Sequence, residues 1–324
     1  MNSFTSSSER PQRGRALRIA FLLVIALVLI EWGTRATLMP GTSDLIRYRA
    51  FAGQARELAS APTTSIAFIG NSVTDRIRLD DFRGEWLSLT GDPVNTGKFV
   101  AYYSNLTTWY WMSGQYFWDQ GVTPDLVVLT YYEGNGLADS EVVDVGNLAL
   151  FFTDGEDRAS LFRYDLKTLE QRADYVLSSA SEAFAARDRI RDRTLNFVPG
   201  YRSFATETNM RNFEYERRRN LQTVRPTPTF HTLERFLADA RRAGITLCFV
   251  AFPSRPTNGD AVSYIIEPKA LEMVARAGML HLDMRRMDEL PADMYKDNVH
   301  LNARGQPIYT RRFAQELSKV WRSQ

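Results

Sequence analysis

Three side chains in this sequence could together turn a hydroxyl into a nucleophile: Ser72, Asp297 and His300. Ser72 lies in "IAFIGNSVTDRI", residues 66–77, where an apolar run stops at Gly70-Asn71 and polar residues follow at once. A serine hydroxyl attacks a carbonyl poorly unless a base takes its proton, so this reading requires a histidine elsewhere. Only His231, His281 and His300 are available. His231 falls in the first turn of an amphipathic helical pattern and His281 inside a short strand pattern, positions usually set by packing. His300 sits in the polar stretch "KDNVHLNARG", with Asp297 three residues upstream. A turn of that length lets the carboxylate meet Nδ1 and leaves Nε2 open for another partner, which is how a serine hydrolase fixes its histidine tautomer. Plainer roles compete: Ser72 as a helix N-cap, and Asp297 with Asn302 as caps of the last helix.

The elements around these residues follow a repeating scheme. "SIAFIG" (65–70), "DPVNTG" (92–97), "DLVVLTYY" (125–132), "ITLCFVAFP" (245–253) and "MLHLDM" (279–284) read as strands. Helical patterns cover 104–121, 229–244, 268–278 and about the last 15 residues. Strand, glycine or polar turn, then helix is the order of a parallel α/β sheet. Open sheets of that kind place their ligands at the carboxyl ends of the strands, where Ser72 falls. Residues 137–228 break the scheme with long, charged, helical segments such as "RDRIRDR", and read as an insertion.

The chain has 324 residues, a net charge of +2 and basic residues interleaved with acidic ones, so a nucleic-acid partner is not expected. Its one cysteine, Cys248, lies in an apolar run; it excludes an intrachain disulfide and reads as a small core residue. No metal or organic cofactor is implied.

Residues 1–15 are polar and carry Arg10, Arg13 and Arg15; Ala16–Trp32 is apolar except for Arg18 and Glu31. At 1.5 Å per residue this stretch covers about 25 Å, a little short of a hydrocarbon core of roughly 30 Å, with the charged ends able to reach the interfaces. No small-x-small cleavage site follows, so a retained signal anchor is expected over a cleaved signal peptide or a buried helix. The preceding arginines favour a cytoplasmic N-terminus. The resulting division is a cytoplasmic tail over 1–15, a transmembrane anchor over 16–38, a membrane-proximal stalk over 39–63, and a folded domain over 64–324 carrying the insertion.

Taken together, Gly70-Asn71-Ser72 after the first strand, Gly97 after the second, Asn135 after the third and Asp297-x-x-His300 before the last helix resemble the four blocks of the SGNH/GDSL hydrolases, in their order. The resemblance implies an SGNH-hydrolase-like (flavodoxin-like) parallel sheet flanked by helices, with the helical insertion and the N-terminal transmembrane helix added. It implies Ser72 as nucleophile, His300 as base, Asp297 as orienting carboxylate, and an oxyanion hole from the Ser72 and Gly97 backbone N–H groups and the Asn135 side chain. The sequence has Asn71 where the family commonly has aspartate, and Glu133-Gly134-Asn135-Gly136 where Gly-x-Asn-Asp is usual.

Asn71, Glu133 and Arg255 are candidate substrate contacts, Arg255 because "PSRP" follows a core strand on the same side. The aromatics Tyr102, Tyr103, Trp109, Tyr110, Trp111, Phe117 and Trp118 could form a sugar-stacking wall, although helical spacing assigns about half to the core. Phe162, Tyr164, Tyr201, Phe204, Phe213 and Tyr215 of the insertion could wall an acceptor site. Asn105-Leu106-Thr107 matches a glycosylation sequon.

An anchor followed by such a domain is similar to bacterial polysaccharide O-acetylation and teichoic acid D-alanylation proteins. By that analogy the expected activity is acyl transfer, as esterase or O-acyltransferase, on an envelope glycan or lipid ester. The domain would stand outside the cytoplasm against the bacterial membrane, with a membrane-bound acyl donor protein as an admissible partner. The rival expectation is a non-catalytic membrane-anchored binding or assembly protein on a degenerate SGNH scaffold.

Overall fold

The computed structural model describes residues 9–38, 42–60, 62–132, 136–140, 142–201, 203–204, 227–256, 264–287 and 290–322. Five parallel strands, β1 (Thr64–Gly70), β2 (Val94–Val100), β3 (Leu126–Tyr131), β4 (Thr246–Ala251) and β5 (Leu280–Asp283), form one sheet in the order β2-β1-β3-β4-β5. This is the flavodoxin-like order, whose switch point lies between β1 and β3.

The strands alternate strictly between the two faces because successive side chains point to opposite sides. Ala67, Ile69, Val127, Leu129, Leu247 and Phe249 enter one core, and Ile66, Phe68, Leu126, Val128, Cys248 and Val250 enter the other. Cys248 is fully buried as expected, and burial pushes its thiol up to about 12.

Helices run on both faces. In chain order they are α1 (Glu9–Gly33), α2 (Ser43–Ser60), α3 (Leu79–Thr90) and α4 (Leu106–Tyr116), then α5 (Arg158–Tyr164), α6 (Leu169–Ala180), α7 (Glu182–Ala185) and α8 (Arg187–Leu195) in the insertion. They are followed by α9 (His231–Arg242), α10 (Pro268–Arg276) and α11 (Gly305–Arg322). Residues of α2, α4, α9, α10 and the insertion share the first core, and α3 and α11 close the second.

Two differences from the sequence reading concern the parts nearest the site. α3 was not expected: only Phe82 and Trp86, one turn apart, bury themselves, and Gly84 interrupts the pattern. The segment expected as a stalk is a layer of the domain. Leu45, Tyr48, Phe51, Ala55 and Leu58 recur at helical spacing along one face of α2, and that face is buried against β1 and β2.

α1 continues into a π turn, Thr34–Leu38. Among the described residues one helix, Arg15–Thr37, is long and apolar enough to cross a membrane; its mean hydropathy is 2.2 and its most apolar 18 residues are not buried.

Candidate active site

Ser72 stands two residues beyond the end of β1, in a turn that the surrounding sequence forces. A Cβ on Gly70 would lie 1.9 Å from Thr74 Oγ1, so the glycine is there to let Thr74 fold back under the strand end rather than to adopt a left-handed conformation. Asn71 is 6 % exposed. Its Oδ1 accepts from the Val73 N–H at 3.2 Å and its Nδ2 donates to the Ser104 carbonyl at 3.4 Å. The expected substrate contact at Asn71 is therefore corrected: both ends of its amide are engaged in joining the turn after β1 to the loop after β2. An aspartate could not make the second bond without a proton, which accounts for the asparagine.

A set of polar residues that the sequence reading passed over braces the same turn from β2 and α2. Lys98 Nζ donates to the carbonyls of Asp75 (3.1 Å) and Ile77 (2.6 Å). Burial holds its ammonium below the usual lysine range. The Tyr102 hydroxyl donates to Asp75 Oδ2 at 2.9 Å and accepts from Arg47 at 3.2 Å. The only available signal was an alternation within β2 that turns Lys98 inward, and the partner of an inward lysine cannot be read from its own strand.

His300 reaches Ser72 from the loop before α11. An antiparallel bridge between Tyr295 and Leu301 pinches that loop, and the Lys296 N–H donates to the His300 carbonyl at 2.8 Å. Asp297 Oδ1 accepts from the backbone N–H groups of Val299 (3.0 Å) and His300 (2.8 Å), and Asp297 Oδ2 lies 2.8 Å from His300 Nδ1. Partial burial works against the charged form of Asp297, but these N–H donors and the imidazole together hold its carboxyl below the usual range. An ionised carboxylate only accepts, so the proton belongs on Nδ1 and the lone pair on Nε2. The Ser72 hydroxyl then donates to Nε2 across 2.7 Å.

The competing capping roles separate cleanly. Asn302 Oδ1 accepts from the N–H groups of Arg304 and Gly305 at the start of α11, whereas Asp297 faces the imidazole. Ser72 caps nothing: the 3-10 turn Thr74–Arg76 has no side-chain cap. Among the described residues the Ser72 N–H has no hydrogen-bond acceptor.

Gly97 does not fit the oxyanion role. β2 runs on to Val100, which puts Gly97 mid-strand opposite Ala67, roughly 10 Å short of the strand end at about 3.3 Å per residue. A Cβ there would lie 2.8 Å from Leu58 Cδ1, so this glycine exists to let α2 approach the sheet. Asn135 and Glu133 lie outside the described residues.

Arg255 is exposed beside the site, its N–H donating to the Asn298 carbonyl at 2.8 Å, which ties the loop after β4 to the histidine loop. His231 and His281 stay apart from it. The first is on the surface near Glu234, and the second lies 2.7 Å from the Tyr131 hydroxyl, its imidazole lowered by burial.

Most of the expected sugar wall is core. Trp109, Tyr110, Trp111 and Phe117 are buried, and the indoles of Trp109 and Trp111 donate to Ser104 Oγ and Asp165. Tyr103 is the exception. It is 95 % exposed, with φ of 59°, and among the described residues it is the one non-glycine in the left-handed region. Such strain collects at functional loops, and here it falls on the turn joined to Asn71. The sequon is also corrected: Asn105 caps α4 and its Nδ2 donates to the Val142 carbonyl.

No protein-family model and no curated protein matches the chain. Solved structures similar to it include an acetyl xylan esterase from Geobacillus stearothermophilus, at 13 % identity and a TM-score of 0.39, covering 78 % of this chain and 94 % of that one. Another is a GDSL-like lipase from Bacteroides thetaiotaomicron, at 11 % identity and a TM-score of 0.36, covering 84 % and 98 %. At this level the similarities say nothing of what the chain acts on. The strand order and the ends at which Ser72 and the Asp297–His300 loop stand give the chain its own description. The fold is a flavodoxin-like parallel α/β sheet with Ser72 and His300 in contact at the carboxyl ends of its strands.

Proposed function

We propose that the chain is a serine-dependent acyl-transfer enzyme, an esterase or O-acyltransferase, acting on an acyl ester of the cell envelope. The observation that carries this reading is the unbroken relay from Asp297 through His300 Nε2 to Ser72 Oγ, with contacts of 2.8 and 2.7 Å. His300 takes the hydroxyl proton as Oγ bonds to the ester carbonyl carbon. The negative charge that develops on the carbonyl oxygen meets the open Ser72 N–H. Collapse breaks the bond to the leaving alcohol, which takes the proton from His300 and leaves an acyl-Ser72 ester. Water or a sugar hydroxyl then gives its proton to the same Nε2 and attacks the acyl carbon; the bond to Oγ breaks and Ser72 takes the proton back from His300. A bound sugar competes with water by its effective concentration at the acyl carbon.

The N-terminal helix serves as a retained anchor with its arginine-bearing end in the cytoplasm and the domain outside. The test is turnover of short-chain acyl esters by the full chain in detergent. Measurable turnover by the wild type, absent from Ser72→Ala, supports the enzyme. A folded, inert wild type would hand the chain to the reading of a binding or assembly protein on an SGNH scaffold.

A further inference from the structure

The direction of α2 fixes which end of the sheet the anchor is joined to. Near the end of α2 the Glu57 carbonyl accepts from Asn95, at the start of β2, across 3.1 Å. Near its beginning Arg47 donates to Tyr102, just past the end of β2. α2 therefore runs antiparallel to the strands, and its first residue, Ser43, lies at the carboxyl edge, the edge that holds Ser72 and His300. The π turn following α1 ends at Leu38, and the few residues between Leu38 and Ser43 can span at most roughly 17 Å. The anchor thus delivers the chain to the active-site edge.

The insertion clamps that arrangement in place. Glu31, near the end of α1, accepts from Ser181 Oγ (2.7 Å) and from the N–H groups of Glu182 and Ala183 (3.1 Å each), capping α7. Arg189 of α8 pairs with Asp44 at the start of α2 at 2.7 Å. α8 carries arginines at 187, 189, 191 and 193 interleaved with Asp188 and Asp192, both paired with Arg191, and the turn after it exposes Phe197 (86 %), Val198 (52 %) and Phe204 (66 %). Phe197 and Arg193 line a groove of about 520 Å³ with Ile30, Gly33 and Thr37 of the α1 end. Exposed aromatics beside arginines, continuous with an apolar helix whose Trp32 is 69 % exposed, have the composition of a surface that lies in the interfacial layer of a membrane.

We infer that α8 and the turn after it rest in the interfacial layer of the bilayer, and that this contact turns the Ser72 edge of the sheet toward the membrane, so that the ester substrate is one presented by the bilayer, an acyl lipid or lipid-linked glycan. The inference rests on α1 being a membrane anchor and on Ser72 being the nucleophile. It restricts the substrate class, because an edge facing lipid at so short a tether meets membrane-borne esters before soluble polymers. Tyr103 stands on that same edge.

The test uses the full chain in vesicles of phosphatidylethanolamine and phosphatidylglycerol, with nitroxide labels on cysteines introduced one at a time at Phe197, Phe204, Tyr103 and, at the opposite edge of the sheet, Asp92. Labels at 197 and 204 should relax more with lipid-soluble oxygen than with a water-soluble nickel chelate. Those at 103 should lie nearer the bilayer than those at 92. The double variant Phe197→Glu with Val198→Glu should keep its rate on a soluble short ester and lose about tenfold or more on a vesicle-borne ester of the same acyl group. Equal water exposure at 92, 103 and 197 overturns the orientation, and equal rates on both substrates overturn the substrate class. The label depths are read without catalysis and the soluble-ester rate without the bilayer, so failure of this inference and failure of the enzymatic reading give different results.

Discussion

Thr74 folds beneath Gly70 so closely that a methyl group on residue 70 would lie 1.9 Å from its Oγ1. Gly70→Ala should therefore displace the turn that carries Ser72, costing about 1–3 kcal/mol of stability and most of the activity. Thr74→Ala removes the obstructing oxygen, so the double variant should regain much of both. A double-mutant cycle in urea gives the coupling, and strictly additive losses would show that the two residues do not share this constraint.

His300→Ala should cost more activity than Asp297→Asn, because the first removes the proton acceptor and the second only misorients it or fixes the wrong tautomer. A loss near 10⁴-fold in kcat is the expectation for the asparagine variant. Both should fold. Near-wild-type rates in the two variants would mean that the base lies elsewhere.

The lowered carboxyl of Asp297 also predicts a pH dependence of stability. A carboxylate depressed in the folded state stabilises above its unfolded pKa, and that contribution is lost as pH falls through the folded value. The stability gap between wild type and Asp297→Asn should accordingly be full at neutral pH and narrow on acidification below the ordinary aspartate range. Urea midpoints across that range measure it, and a gap independent of pH would contradict the assignment.

How far these residues were legible beforehand depends on the range of the interaction that fixes them. The strand runs and the Asp297-x-x-His300 spacing are local patterns, and they yielded the sheet and the relay. Gly97 misled because a glycine reads as a stop, whereas here it makes room for Leu58 from a helix well upstream. Asn71, Lys98, Asp75 and Arg47 act through partners on other elements, and the capping of α7 by Glu31 spans 150 residues, so no periodicity could reveal them. The segment of α2 read as a stalk because the sheet face that receives its apolar stripe is built from β1 and β2, farther along the chain.

Tyr103 offers a test of substrate contact apart from the relay. Its left-handed backbone suits glycine, so Tyr103→Gly should gain about 1 kcal/mol of stability. If its exposed ring meets the substrate, KM should rise several-fold while kcat holds. An unchanged KM would remove the ring from the binding site.

The central claim is that Ser72 is a nucleophile activated by His300, and the most direct measurement is covalent labelling of the full chain by a fluorophosphonate, with the adduct located by peptide mass spectrometry. The account predicts one adduct, on Ser72, formed rapidly by the wild type, strongly slowed in His300→Ala and absent in Ser72→Ala. A folded wild type that takes up no label, or labels at another residue, would contradict it.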